Sequence, residues 1–141
     1  MPLGNLKAIL PSLELQEEDD SQQNPAGEFF ATLLHAATVA HQLHLQTRSF
    51  AEHKALDGFY KELPDLVDGL IESYQGKYGL ITDYPFEFDL ESKSTEKFLS
   101  DLSQFVKTER MKVAMDSEIQ NDIDAIQTLI NGTLYKVRFL K

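Results

Sequence analysis

The sequence contains no cysteine and no tryptophan. The first absence excludes disulfides, thiolate metal sites and a cysteine nucleophile. No apolar run approaches the ~20 residues that a membrane-spanning helix needs. The opening MPLGNLKAILPSLEL has neither the basic start nor the long apolar stretch of a secretory signal. Basic residues are also scarce, 13 against 23 acidic ones, and they are scattered, leaving a formal net charge of -10. Binding to phosphate backbones or anionic membranes needs clustered Lys and Arg, so neither direct DNA binding nor membrane association is expected. There is no Gly-rich phosphate loop, no Gly-x-Ser-x-Gly elbow and no Glu-x-x-His. The last absence removes the within-chain di-iron centre of carboxylate-rich helix bundles. The expectation is a soluble, cytoplasmic protein.

What is present is helical. At 141 residues and 42% hydrophobic content, one domain with one core is expected, with glycine (7) and proline (5) kept near the ends of segments. Residues 1–26 read as an acidic, flexible leader or arm, with EEDDSQQNPAG offering nothing to bury. A bundle domain should fill 27–141. Its first helix is expected over about 27–46, with Phe30, Leu33, Leu34, Ala37, Thr38, His41, His44 and Leu45 on the apolar face. His35 falls off that face.

Ser49-Phe50-Ala51-Glu52 reads as a capping box that opens a second helix, which should close at Gly76 or Gly79. Pro64 inside it should bend or locally break it. Residues 80–93 form a long connection whose aromatics should lie across the bundle. A third helix starts at Ser94, with Phe98, Leu102, Phe105, Val106 and Met111 as core candidates. A fourth should run from about Ser117 to Tyr135. Four amphipathic helices with a long link between the second and third predict an all-α, up-down-down-up bundle.

Polar residues gather around the first hairpin. His41 and His53 flank its turn, so two imidazoles could face each other there and hold a first-row transition metal. His44 shares the face of His41 and is a further candidate. Asp68 and Glu72 stand four apart, on one side of the second helix, as paired carboxylate ligands would. His53 and Asp68 are roughly 22 Å apart at 1.5 Å per residue, so they cannot bind one ion within a chain. They can meet only if a second copy packs its own second helix antiparallel across a two-fold axis.

The order His41, His53, Asp68, Glu72, spaced twelve, fifteen and four, resembles the pattern of the Dps family, the mini-ferritins. The resemblance extends to Phe50, Tyr60 and the closing Gly76 or Gly79, and covers about a third of the chain. It implies a ferritin-like bundle and a homo-oligomer that is at least a two-fold dimer. It also implies an inter-subunit site with His41 and His53 (His44 joining or replacing His41) from one chain and Asp68 and Glu72 from its partner. Iron would be bound and Fe(II) oxidised there, with iron storage or protection from oxidative stress as the outcome. Gln42 stands where that family usually carries Trp. The stretch AHQLHLQTRSFAEHKALDGFYKEL is also similar, more loosely, to uncharacterised bacteriophage proteins. The competing expectation is therefore a non-enzymatic helical assembly protein, a component of a virion whose acidic leader binds a neighbouring subunit.

Overall fold

The computed structural model describes residues 24–87 and 94–141. Up to residue 23 the expected leader lies outside that range, as does the end of the connection. Among the described residues there are helices and no strand: α1 (Pro25–Gln46), α2 (Phe50–Tyr78), α3 (Thr95–Glu109) and α4 (Ser117–Phe139), with a 3₁₀ turn at Arg110–Lys112.

Local chemistry explains most of the boundaries. α1 begins earlier than the leader reading allows, because Asn24-Pro25 is itself a start signal. The Asn24 side chain accepts from the Ala26 N–H at 2.9 Å, and proline at the first helical position loses nothing by lacking an N–H. Ser49 and Ser94 cap α2 and α3 by accepting from Glu52 and Lys97 N–H, each at 3.2 Å. α2 stops at Gly79, whose φ of 96° lies in the left-handed region that favours glycine.

Pro64 does not break α2. The helix runs through it unbroken, so of the expected bend or local break the break does not occur. An internal proline costs roughly 3 kcal/mol. Against that stand five fully buried side chains on the inner face, Leu56, Phe59, Leu63, Val67 and Leu70, each worth about 1.5–3 kcal/mol on burial.

Contacts at the helix ends set the topology. Thr95 at the start of α3 donates to Glu52 in the first turn of α2, and Arg138 near the end of α4 bonds Glu96 at 2.9 Å. Lys77 and Tyr78 at the end of α2 both bond Asp116, just before α4. So α2 and α3 run parallel, and α1 and α4 oppose them. α1 packs on α2, α2 on α4, and α4 on α3, with a lighter α1–α3 contact. The core fills the space between with Phe29, Phe30, Leu33, Leu99 and the α4 ladder Ile119, Ile123, Ile126 and Ile130. Phe29 stacks on Phe105 at 5.4 Å, and Phe30 meets Tyr74 edge-on at 5.3 Å.

Two expectations about exposure and one about a helix end are corrected. Met111 is 52% exposed, because the 3₁₀ turn carries it off the inner face of α3. α4 continues through Gly132 to Phe139, since Thr133, Leu134 and Val137 beyond the glycine are buried. In the link, Ile81 is buried and Tyr84 half-buried, both held by the Gln75 side chain, whereas Phe86 is 93% exposed.

Candidate functional site

The α1–α2 turn is three residues long, and Thr47 and Ser49 hold it with both their N–H and their hydroxyl groups. The Thr47 N–H closes α1 on the Leu43 carbonyl at 3.0 Å. The Ser49 N–H donates to the Thr47 hydroxyl at 3.1 Å, and that hydroxyl donates in turn to Glu52 Oε2 at 2.8 Å. Only half of the expected capping box therefore forms. Ser49 caps the Glu52 N–H, while the Glu52 carboxylate goes to Thr47 rather than back to Ser49.

A turn this short places residues 44 and 53 level with each other. His44 Nδ1 lies 2.8 Å from the His53 carbonyl, and His53 Nδ1 lies 2.9 Å from the His44 carbonyl. A carbonyl oxygen only accepts, so Nδ1 is the N–H in both rings, and each Nε2 keeps an in-plane lone pair when the ring is neutral. The His44 carbonyl is one of the last four of α1, which lack intrahelical partners. His53 thus caps the helix that carries His44. The two rings stack at 3.7 Å with planes 19° apart. His44 is buried and His53 half-buried.

His41, named first by the sequence pattern, does not face His53. It lies one turn further down α1, about 4.5 Å along the axis from His44. It is exposed, and its ring lies flat on Tyr60 at 4.0 Å and 7°. The ring centroids of His41 and His44 are 6.0 Å apart, and Tyr60 meets His44 edge-on at 5.1 Å. His35 is half-buried and takes part in an interaction of its own. The structure thus brings His44 and His53 together, with His41 and Tyr60 as a second aromatic pair beside them.

Asp68 and Glu72 are both exposed on α2, four residues apart and away from the turn. Within one chain they do not approach the histidines. Among the described residues no group of three His, Asp or Glu is placed to hold a metal ion. The donor chemistry, imidazole with carboxylate, suits a first-row transition metal such as iron. One protomer alone offers a pair of imidazoles and, far from it, a pair of solvent-facing carboxylates. A complete set would require a second chain.

Sequence reasoning missed other polar features. The Glu52 carboxylate also accepts from the buried Thr95 hydroxyl at 3.4 Å, linking the turn to α3. Gln127, buried between α3 and α4, donates to Ser103 and Asn131 at 2.9 Å each, and its Oε1 has no partner. Asp116 has its carboxyl held below the ordinary range by hydrogen bonds from Lys77 first and Tyr78 second. Asp57 is lowered by Lys61, four residues on. The first three of these link segments far apart in sequence, so no local pattern signals them.

Comparison with known proteins gives a family without an activity. A family model described as "Family of unknown function (DUF5856)" matches residues 44–137, about two thirds of the chain. The match begins at His44 and takes in His53, Asp68 and Glu72. A curated relative is the "Uncharacterized 14.6 kDa protein in mobD-ri intergenic region" of Enterobacteria phage T4, 43% identical over 54 residues. The match covers 38% of this chain and 42% of that protein, so the chain spans about two fifths of the relative's length. No solved structure matches. Among the described residues, no helix is long and apolar enough to cross a membrane.

Proposed function

This chain belongs to DUF5856, and we propose that it is a ferritin-like iron-binding protein that takes Fe(II) as substrate at a site shared by two copies. His44 and His53 come from one chain, with His41 beside them, and Asp68 and Glu72 come from the partner. The observation that carries this reading is the reciprocal Nδ1–H to carbonyl bonding of His44 and His53. Metal-binding histidines are typically held this way, the bonded nitrogen fixing the ring and the other left as ligand. The exposure of Asp68 and Glu72 leaves their carboxylates available to a second chain. At the shared site each Fe(II) gives one electron to dioxygen or peroxide, and the carboxylates offset the added positive charge.

The test is complementation. Wild-type protein loaded anaerobically with Fe(II) should hold iron in a constant ratio to chain and behave in solution as at least a dimer. His53→Ala and Asp68→Ala should each lose the iron. Mixed and reassembled together, they should regain it, because one site of each mixed dimer then has both halves. A metal-free wild-type protein, or two variants that bind iron as well as wild type, would sink the proposal.

A second reading has its own observation. Leu45 (70% exposed) and Phe50 (75%) sit at the same end of the bundle as Phe139 (70%) and Leu140 (48%). The bonds from Glu52 to Thr95 and from Arg138 to Glu96 place them there. Exposed apolar groups at the ends of a bundle suit subunit contacts in an assembly, and the opposite end carries Tyr78, Leu80, Met111 and Met115 in the same way. The likeness to an uncharacterised phage protein is compatible with a place in a virion. Under this reading the histidine pair is purely a clasp, and the variants above change stability but bind no metal to begin with.

A further inference from the structure

We propose that Glu52 is the positioning residue of the histidine pair, joining three segments of chain so that His44 and His53 keep their reciprocal bonds. The proposal deepens the reading of that pair as a ligand site and rests on it for its functional meaning. The positioning itself is read without metal.

Glu52 is adjacent to His53 in α2, and Thr47 lies three residues beyond His44 at the end of α1. The 2.8 Å bond from the Thr47 hydroxyl to Glu52 Oε2 therefore crosses the hairpin immediately beside the two histidine bonds. The same oxygen accepts from Thr95 at 3.4 Å, and Thr95 is buried at the start of α3. A carboxylate oxygen can accept more than one hydrogen bond, and here it does so from two other segments. Thr47 is itself held by the Ser49 N–H at 3.1 Å and by its own N–H on Leu43. Glu52 Oε2 thus ties α1, α2 and α3 at one atom. If Glu52 is removed, the Thr47 hydroxyl and Thr95 both lose their acceptor. The turn is then free to slide, and a slide of about 1 Å suffices to lengthen 2.8 and 2.9 Å bonds beyond hydrogen-bonding range.

Imidazole tautomers supply a readout that a general loss of stability would not move. In the ¹⁵N-labelled full chain at about pH 8, above the ordinary imidazole range, long-range proton–nitrogen spectra should show His44 and His53 fixed as Nδ1–H. Glu52→Gln keeps an acceptor oxygen and should retain that pattern. Glu52→Ala should lose it, both rings averaging between tautomers while far-ultraviolet circular dichroism stays native. Should Glu52→Ala fail to fold, Thr47→Val, which removes only the hydroxyl, should give the same loss. Native tautomers in Glu52→Ala or in Thr47→Val overturn the proposal. Equal loss in Lys54→Ala, an exposed neighbour, also overturns it. Failure of iron binding with the tautomer pattern intact would reject the iron reading and leave the role of Glu52 standing.

Discussion

At the scale of single residues, His41, His44 and His53 have different jobs although the sequence presents them alike. His44 is buried, bonded and stacked, while His41 is exposed and rests on Tyr60. His44→Ala should therefore lower the unfolding free energy by about 1–3 kcal/mol, since it removes a buried ring and its hydrogen bond. His41→Ala should cost less than about 1 kcal/mol, roughly the worth of an exposed aromatic contact. Urea titration of both variants checks the order, and a larger loss in His41→Ala would contradict it. The histidine cluster was legible as a cluster, but its pairing was not. The expected face of α1 followed its larger apolar residues, including Leu34 and Leu45, yet these are 39% and 70% exposed. Phe30, Leu33 and His44 of that face are buried, but the buried arc is shifted to take in Phe29, Ala36, Ala40 and Leu43. Alanines face inward where helices approach closely, and a wheel weighted by hydrophobicity does not anticipate that.

At the scale of elements, the caps were the reliable signal. Ser49 and Ser94 start their helices as read, because a hydroxyl before an apolar-periodic run satisfies an N–H that has no other partner. Proline was the weaker signal: Pro25 begins a helix, and Pro64 causes no break in one. Its effect depends on whether the surrounding packing can outweigh a lost bond. This leads to a prediction. Pro64→Ala restores an N–H for the Tyr60 carbonyl and removes the ring clash, so it should stabilise the fold, by up to about 3 kcal/mol on intrinsic propensity. Gly79→Ala should do the reverse by roughly 1 kcal/mol, because an alanine at φ 96° is strained. Thermal unfolding of both would show it, and a Pro64→Ala variant that melts below wild type would mean that α2 relies on the proline's shape.

At the scale of the molecule, the up-down-down-up path followed from one legible feature, a link too long for a hairpin between two amphipathic helices. The coarse result, four helices and no strand among the described residues, agrees with the sequence. What could not be read was how the far end of the bundle closes, because Lys77 and Tyr78 meet Asp116 across nearly forty residues. Asp116 is placed to cap α4 but makes no capping bond, its carboxylate being committed to the end of α2 instead. That commitment has a pH signature with a definite sign. The Asp116 carboxyl is held below its ordinary value of 3.8, by Lys77 first and then Tyr78. Its contribution to stability is therefore complete above the ordinary value and fades as pH falls below it toward the folded-state value. Lys77 is raised above 10.5 by the same bond, so its share is complete below that value and fades as pH rises through the folded-state one. Asp116→Asn removes one of the two titrating groups and, with it, the charge that raises the other. Its stability should vary less with pH than wild type at the acidic and the alkaline ends, with the two proteins differing most near neutrality. Chemical denaturation across pH tests this: a variant whose acid limb stays as steep as wild type would show that other carboxylates govern the acid response.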